Sequence, residues 1–260
     1  MSTQRGVAPS GRWVLEQVWH DLLFAHWPVD PGDLRPRLPP GAELDLFEGR
    51  AWVGVVPFRM SGIRARGLPP LPGLSAFPEI NVRTYAVAGG RPGVLFLSLD
   101  AANRVAVAAA RRFFHLPYWR ARMSCRPEGD GVAYASVRAE GDGARPAEFR
   151  AAYRPTGAPY RAPAGGIDHW LVERYCLFST DGAGGALRTD IAHEPWPLQS
   201  ASARIEANTM AEAAGVRLPD APPLLHFARR LKVKVWLPRR FTDAPRAAAA
   251  RDASASTPRR

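Results

Sequence analysis

An antiparallel, β-dominated α+β domain is the fold class this sequence predicts, on three observations. Apolar runs of strand character recur along the chain, separated by turns rich in Gly, Pro and Asp. Only one stretch, residues 101–114, carries a sustained helical pattern. The 260 residues include eight Trp, eleven Phe and six Tyr, enough aromatic surface to require a large buried core, and no internal repeat or domain boundary divides them.

Taken in order, the first dozen residues are polar and read as a flexible N-terminus. Leu22 to Val29 reads as a buried strand, and Pro31-Gly32-Asp33 opens a short helical turn ending near Leu38. Ala42 to Phe47 and Ala51 to Met60 flank Glu48-Gly49-Arg50 and predict a hairpin. A loop from Gly67 to Gly73 follows. Pro78 to Val87 and Val94 to Asp100 flank Gly89-Gly90 and predict a second hairpin. The helix at 101–114 is stopped by Pro117, with Asp100 placed to cap it and Arg104, Arg111, Arg112 and His115 on a solvated side. Val132 to Ala139 pairs with Ala147 to Arg154, and Ile167 to Val172 is a short helical or turn segment. Glu173 to Thr180 pairs with Ala186 to His193 around Asp181-Gly182. Ser202 to Ala207 is a strand, Thr209 to Ala214 a short helix, and Leu224 to Leu237 a long final strand with Lys232 and Lys234 facing solvent on a sheet edge.

Strand alternation makes the second hairpin the most informative segment. Ile80, Val82 and Thr84 share one face, while Glu79, Asn81, Arg83 and Tyr85 share the other. Across the turn, Leu95, Leu97 and Leu99 form a core face opposite Phe96, Ser98 and Asp100. In an open sheet the polar row is a solvated outer surface. In a closed barrel it lines a cavity mouth. Glu79 and Arg83 stand about 13 Å apart along the strand, too far for easy pairing, which leaves Arg83 to meet another anion.

The formal charge of +11 comes from 33 arginines and two lysines against 24 acids. Residues 244–260 carry a net +3, are rich in Ala, Ser and Pro, and read as a disordered basic tail. The remainder shows no basic stripe, so nucleic acid is not expected as a partner. No apolar run approaches the ~20 residues of a membrane span, and the start lacks an apolar signal core. A cytoplasmic protein is expected. Two cysteines, Cys125 and Cys176, make neither a disulfide framework nor a zinc site, and each reads as a buried small residue. His20 and His26 could share a side of one strand, but a third metal ligand is missing nearby, so neither metal nor other cofactor is expected.

Several phrases, in order, resemble a bacterial family of unassigned function, the YqjF-like proteins (domain of unknown function 2071). They are Leu22 to Val29, Phe77 to Tyr85, Glu173 to Leu177 and His193 to Gln199. That family in turn is similar to acetoacetate decarboxylase. The resemblance implies an antiparallel β-barrel or cone with a central polar cavity, formed as one domain over residues 13–243. It also implies that Glu79, in Phe77-Pro78-Glu79, matches a catalytic glutamate. The decarboxylase's Schiff-base lysine belongs in His115-Leu116-Pro117-Tyr118-Trp119, where Tyr118 and Trp119 occupy the lysine positions. Neither can form a Schiff base, which needs a primary amine.

The functional expectation is a cavity that binds a small anionic organic molecule, an organic acid or ketone. Arg83 would clamp its carboxylate, Glu79 would serve as acid/base or hydrogen-bond acceptor, and Asn81, Tyr85, Tyr118 and Trp119 would complete the pocket. An alternative is a lyase or hydratase acting on an oxo acid, with Glu79 as base and Tyr118 as acid. A non-catalytic interaction protein using the basic tail is a third. Oligomeric state is not legible in the sequence.

Overall fold

A computed structural model describes residues 9, 11–139, 141 and 143–241; the tail at 244–260 lies outside the described residues. In chain order the elements are β1 (Leu15–Val29), α1 (Pro31–Leu34, continued by a 3-10 turn at Arg35–Arg37), β2 (Glu43–Leu44), β3 (Ala51–Ala65), β4 (Phe77–Ala88), β5 (Arg91–Ala101) and α2 (Arg104–Phe114). Then follow β6 (Tyr118–Glu128), β7 (Gly131–Arg138), β8 (Glu148–Pro155), α3 (Ile167–Val172), β9 (Cys176–Thr180), β10 (Ala186–His193), β11 (Gln199–Asn208), α4 (Met210–Ala213), β12 (Leu224–Val235) and β13 (Arg239–Arg240).

All the strands join one sheet whose hydrogen bonding closes on itself twice. One ring runs β5–β6–β7–β8–β11–β12–β1–β3–β4 and back to β5. The other runs β5–β9–β10–β12–β1–β3–β4 and back to β5. The shared strands form a partition with a core on each side. Leu22 and Phe24 of β1 join Phe58, Tyr85, Ile191 and Val233 in one core. Leu23 and Ala25 join Ile80, Val82, Tyr134, Phe149 and Phe227 in the other. Because both faces of β1 and β4 are buried, their sequences read as near-continuous apolar runs.

Several elements depart from the sequence expectation. The hairpin expected between Ala42–Phe47 and Ala51–Met60 does not form. β3 has β1 on one edge and β4 on the other, so it has no edge to offer, and the short β2 pairs with Val87 and Ala86 instead. The sheet is not wholly antiparallel, since β5 runs parallel to both β6 and β9. The long strand expected at Leu224 to Leu237 is not an edge: β12 is bonded to β1, β10 and β11. Asp100 does not cap α2. It is buried in a two-pronged pair with Arg138, at 2.7 and 2.8 Å, and Asn103 caps the helix by accepting from Val105 and Ala106.

Irregularities interrupt the simple alternation in two places. β1 shifts register against β3 between His20 and Ala25, with Asp21 at a left-handed φ of 52°. His20 therefore bonds Ser61, while His26 is turned to Tyr85, and the two do not form a pair. The β4–β5 register skips Leu97, since Val82 faces Ser98 and Arg83 faces Phe96. The face expected from Leu95, Leu97 and Leu99 is thereby split, with Leu97 packed beside Ile80 and Val82 in the other core.

Candidate functional site

The alternation of β4 survives intact, and the structure decides which kind of face its polar row occupies. Glu79, Asn81, Arg83 and Tyr85 are 4%, 4%, 8% and 0% exposed. The row is interior, on the side of the partition that holds Phe24, Phe58 and Trp196. Strand pairing positions it. Glu79 lies between Phe58 and Ala101, and Arg83 lies beside Gly54 of β3. A side chain at Gly54 would come within 2.8 Å of the His26 ring and 3.5 Å of Arg83. A glycine in mid-strand leaves room for both.

A cavity of about 200 Å³ opens over the Glu79 end of the row. Its wall is mainly apolar, with Met60, Phe77, Phe96, Leu99, Phe114 and Val235 among the lining residues, and Ala106, Ala109 and Ala110 of α2 forming one side. The polar side chains in the lining are Gln17, Trp19, Glu79 and Tyr118. The cavity is thus less polar than the resemblance implied. Tyr118 enters because α2 ends at His115, in the left-handed region, and the chain then joins β5 in parallel with Tyr118 opposite Leu99. Its hydroxyl donates to Glu79 Oε2 at 2.7 Å. From the opposite core, Tyr134 donates to the Glu79 backbone carbonyl at 2.7 Å, pinning the strand at this residue.

Burial raises the Glu79 carboxyl to about 8, against the lowering effect of the Tyr118 hydrogen bond and with a smaller rise from Asp100. At neutral pH it is a neutral acid. The Tyr118 phenol is pushed well above its ordinary value, first by burial and then by Glu79. The Trp19 indole N–H is buried and makes no hydrogen bond among the described residues. No lysine lines the cavity. Lys232 pairs with Glu16 at 3.1 Å, and Lys234 lies over the Trp13 ring.

Of the residues singled out from sequence, the cavity brings together Glu79 and Tyr118. Arg83 and Tyr85 lie farther along β4, where Tyr85 meets His26 Nε2 at 2.7 Å. Asn81 sits between the two ends, its Oδ1 buried and unbonded. Trp119 points away from the row, stacked against Arg111 at 5.2 Å and Arg138 at 5.4 Å. It is one residue from Tyr118 on a strand and therefore on the other face. Sequence reasoning missed Gln17 and Trp19 in the cavity lining, and Arg174, whose guanidinium lies over the ring of Tyr85 at 4.8 Å. Arg174 had a signal, because it stands in one of the phrases that carry the family resemblance, but it was one arginine among 33.

The family described as an uncharacterized conserved protein, domain of unknown function 2071, matches residues 16–232. This chain belongs to that family. It is 46% identical over 234 residues to the uncharacterized protein YqjF of Bacillus subtilis (strain 168), covering 90% of this chain and 95% of that one. Among solved structures it is similar to the enduracididine biosynthesis enzyme MppR complexed with pyruvate, at 14% identity and a TM-score of 0.63, over 93% of this chain and 95% of that one. It is also similar to acetoacetate decarboxylase from Legionella pneumophila, at 16% identity and a TM-score of 0.60, over 94% and 93% of the two chains. The chain thus has the acetoacetate decarboxylase-like fold, as the resemblance implied.

Proposed function

We propose that this chain binds a small organic acid or ketone in the Glu79–Tyr118 cavity and holds it without a Schiff base. The observation that carries the reading is a buried carboxyl, bonded to a phenol, at one end of an otherwise apolar enclosure, where burial favours its protonated form. With Tyr118 donating to one oxygen of Glu79, the acid's own O–H is left to donate to a ligand oxygen, either carbonyl or carboxylate. The free indole N–H of Trp19 supplies a second donor. At about 200 Å³ the space equals the liquid volume of roughly seven waters, which limits the ligand to a few carbons. The pyruvate held by the structurally similar MppR is of this size and class. Lysine is absent from the lining, so binding rests on hydrogen bonds and apolar contact.

One observation favours a second, catalytic reading. A carboxyl that titrates at about 8 is poised for proton transfer near neutral pH. As a neutral acid Glu79 would act as the proton donor in a lyase or hydratase, reversing the role expected from sequence.

Thermal shift at pH 7 with a series of short-chain acids and ketones tests the binding reading. A ligand at 100 times its Kd should stabilise the wild type by about 2.7 kcal/mol, a rise in Tm of roughly 5–10 °C for a chain of this size. Glu79→Leu and Tyr118→Phe should lose most of it. If no compound stabilises the wild type more than Glu79→Leu, the cavity is not the site. Following the same mixtures by NMR for product separates catalysis from binding, and borohydride trapping that labels the protein would overturn the absence of a Schiff base.

A further inference from the structure

A second group of buried polar side chains lies beyond the Glu79 cavity, at the Arg83 end of β4. Arg83 and Arg174 both lie against the ring of Tyr85, their guanidinium carbons 5.9 and 4.8 Å from its centroid. Phe24 packs on Arg83 at 5.1 Å and Trp170 on Arg174 at 4.4 Å. Both arginines are at least nine-tenths buried. Asp45 pairs with Arg174 through Nη1. Arg83 has no carboxylate within salt-bridge distance among the described residues. The neighbouring histidine is no counter-ion for them: burial, then the charges of Arg83 and His226, hold His26 well below its ordinary value. Two cations therefore share one anion in the interior.

The unsatisfied atoms show what is missing. Arg83 Nε and Nη2, Arg174 Nη2 and His26 Nδ1 are buried without a hydrogen-bond partner among the described residues. Buried donors are nearly always paired, and an uncompensated buried charge is strongly unfavourable. The two free nitrogens of Arg83 form one edge of the guanidinium, with their N–H bonds side by side. Elsewhere in this protein the same edge is filled by a carboxylate. Arg138 holds Asp100 through Nε and Nη2 at 2.8 and 2.7 Å, and Arg64 holds Glu16 through the same two atoms. At Arg83 the edge has no such partner.

We propose that the Arg83–Arg174 cluster is a binding site for a small oxyanion, held two-pronged on the Nε–Nη2 edge of Arg83 and supported by Nη2 of Arg174. The planar edge and the precedent of Asp100 favour a carboxylate, and an inorganic phosphate presents the same chemistry. The site stands independently of the Glu79 cavity, whose lining does not include Arg83.

Acetate and inorganic phosphate are titrated into the protein at constant ionic strength, with chloride as the balancing salt. Melting temperature and saturation-transfer NMR on the acetate protons are the readouts. A rise in Tm that saturates with acetate, together with transfer to acetate, is the expected result. Saturation with phosphate alone would place a tetrahedral oxyanion there instead. Arg83→Gln should weaken binding at least tenfold, and so should Arg83→Lys, which keeps the charge but loses the planar edge. Tyr118→Phe should leave it within twofold, so failure of the cavity reading and failure of this one are separable. The absence of saturable acetate or phosphate binding by the wild type overturns the proposal without any variant. Equal binding by a folded Arg83→Gln or Arg83→Lys overturns it too.

Discussion

Glu79 shows how far an environment can move one side chain. Its carboxyl is neutral in the folded protein up to about pH 8 and ionises near its ordinary value when the chain unfolds. Because the folded state holds the proton more tightly, the associated stability is fully present below about pH 4.5. It is lost as pH rises toward 8. Urea unfolding at pH 5, 6.5 and 8 should show wild type losing stability relative to Glu79→Gln over this range, by a few kcal/mol in total. A constant difference between the two would mean that Glu79 is ionised in the native state. Tyr118→Phe removes the hydrogen bond that lowers the Glu79 carboxyl, and so should carry the upper end of this range to higher pH. At this scale the sequence was informative about residue type and alternation. It placed Glu79, Asn81, Arg83 and Tyr85 on one face, and all four are buried in a row. It did not separate Trp119 from Tyr118, because the strand that begins at Tyr118 was not assigned from sequence and so its alternation was not applied there.

Among the elements, those with local punctuation were legible. The turn at Gly89-Gly90 joins β4 to β5, and Asp181 to Gly185 joins β9 to β10, both near the expected positions. The main helix is present from Arg104 to Phe114, with its arginines exposed as expected. Its cap shows where local reading stopped. Asp100 and Asn103 are both good capping types, but Asp100 is drawn into the interior by Arg138, a partner 38 residues away. Asn103 accepts two backbone N–H groups of the first turn and donates to the Gly73 carbonyl. Replacing Asn103 by Ala should cost about 1 kcal/mol without altering the slope of a urea unfolding curve. A change under 0.3 kcal/mol would show that the helix start is held by packing alone. The hairpin expected before Ala51 failed for a related reason: Glu48-Gly49-Arg50 does form a turn, closed by the Phe47–Arg50 bridge, but β3 was already paired on both edges.

At the scale of the whole molecule, the partition of β1, β3, β4, β5 and β12 is the central feature. It is shared by two closed hydrogen-bonded circuits, and its residues alternate between the two cores. Neither core can loosen without exposing one face of strands that the other needs. Leu23→Ala and Phe24→Ala remove neighbouring side chains from opposite cores, and each should destabilise by about 2–5 kcal/mol. In both variants, tryptophan fluorescence and far-UV circular dichroism should trace one coincident transition. Separate midpoints in either would show the two cores to be independent. Among the described residues no helix is long and apolar enough to cross a membrane.

The amino-acid sequence by itself determined the β-dominated class, most strand positions, the main helix, the polar row on β4 and the presence of Tyr118 and Trp119 rather than lysines after that helix. Each of these depends on local pattern, on residue chemistry, or on phrases shared with a family. Tertiary structure alone decided that the row is buried, that it is split between a Glu79 cavity and an Arg83 cluster, and that Arg174 and His26 join the latter. Those facts depend on which strands close the sheet. Closure is a property of pairings between segments far apart in the chain, and alternation within one strand carries no information about what lies across from it.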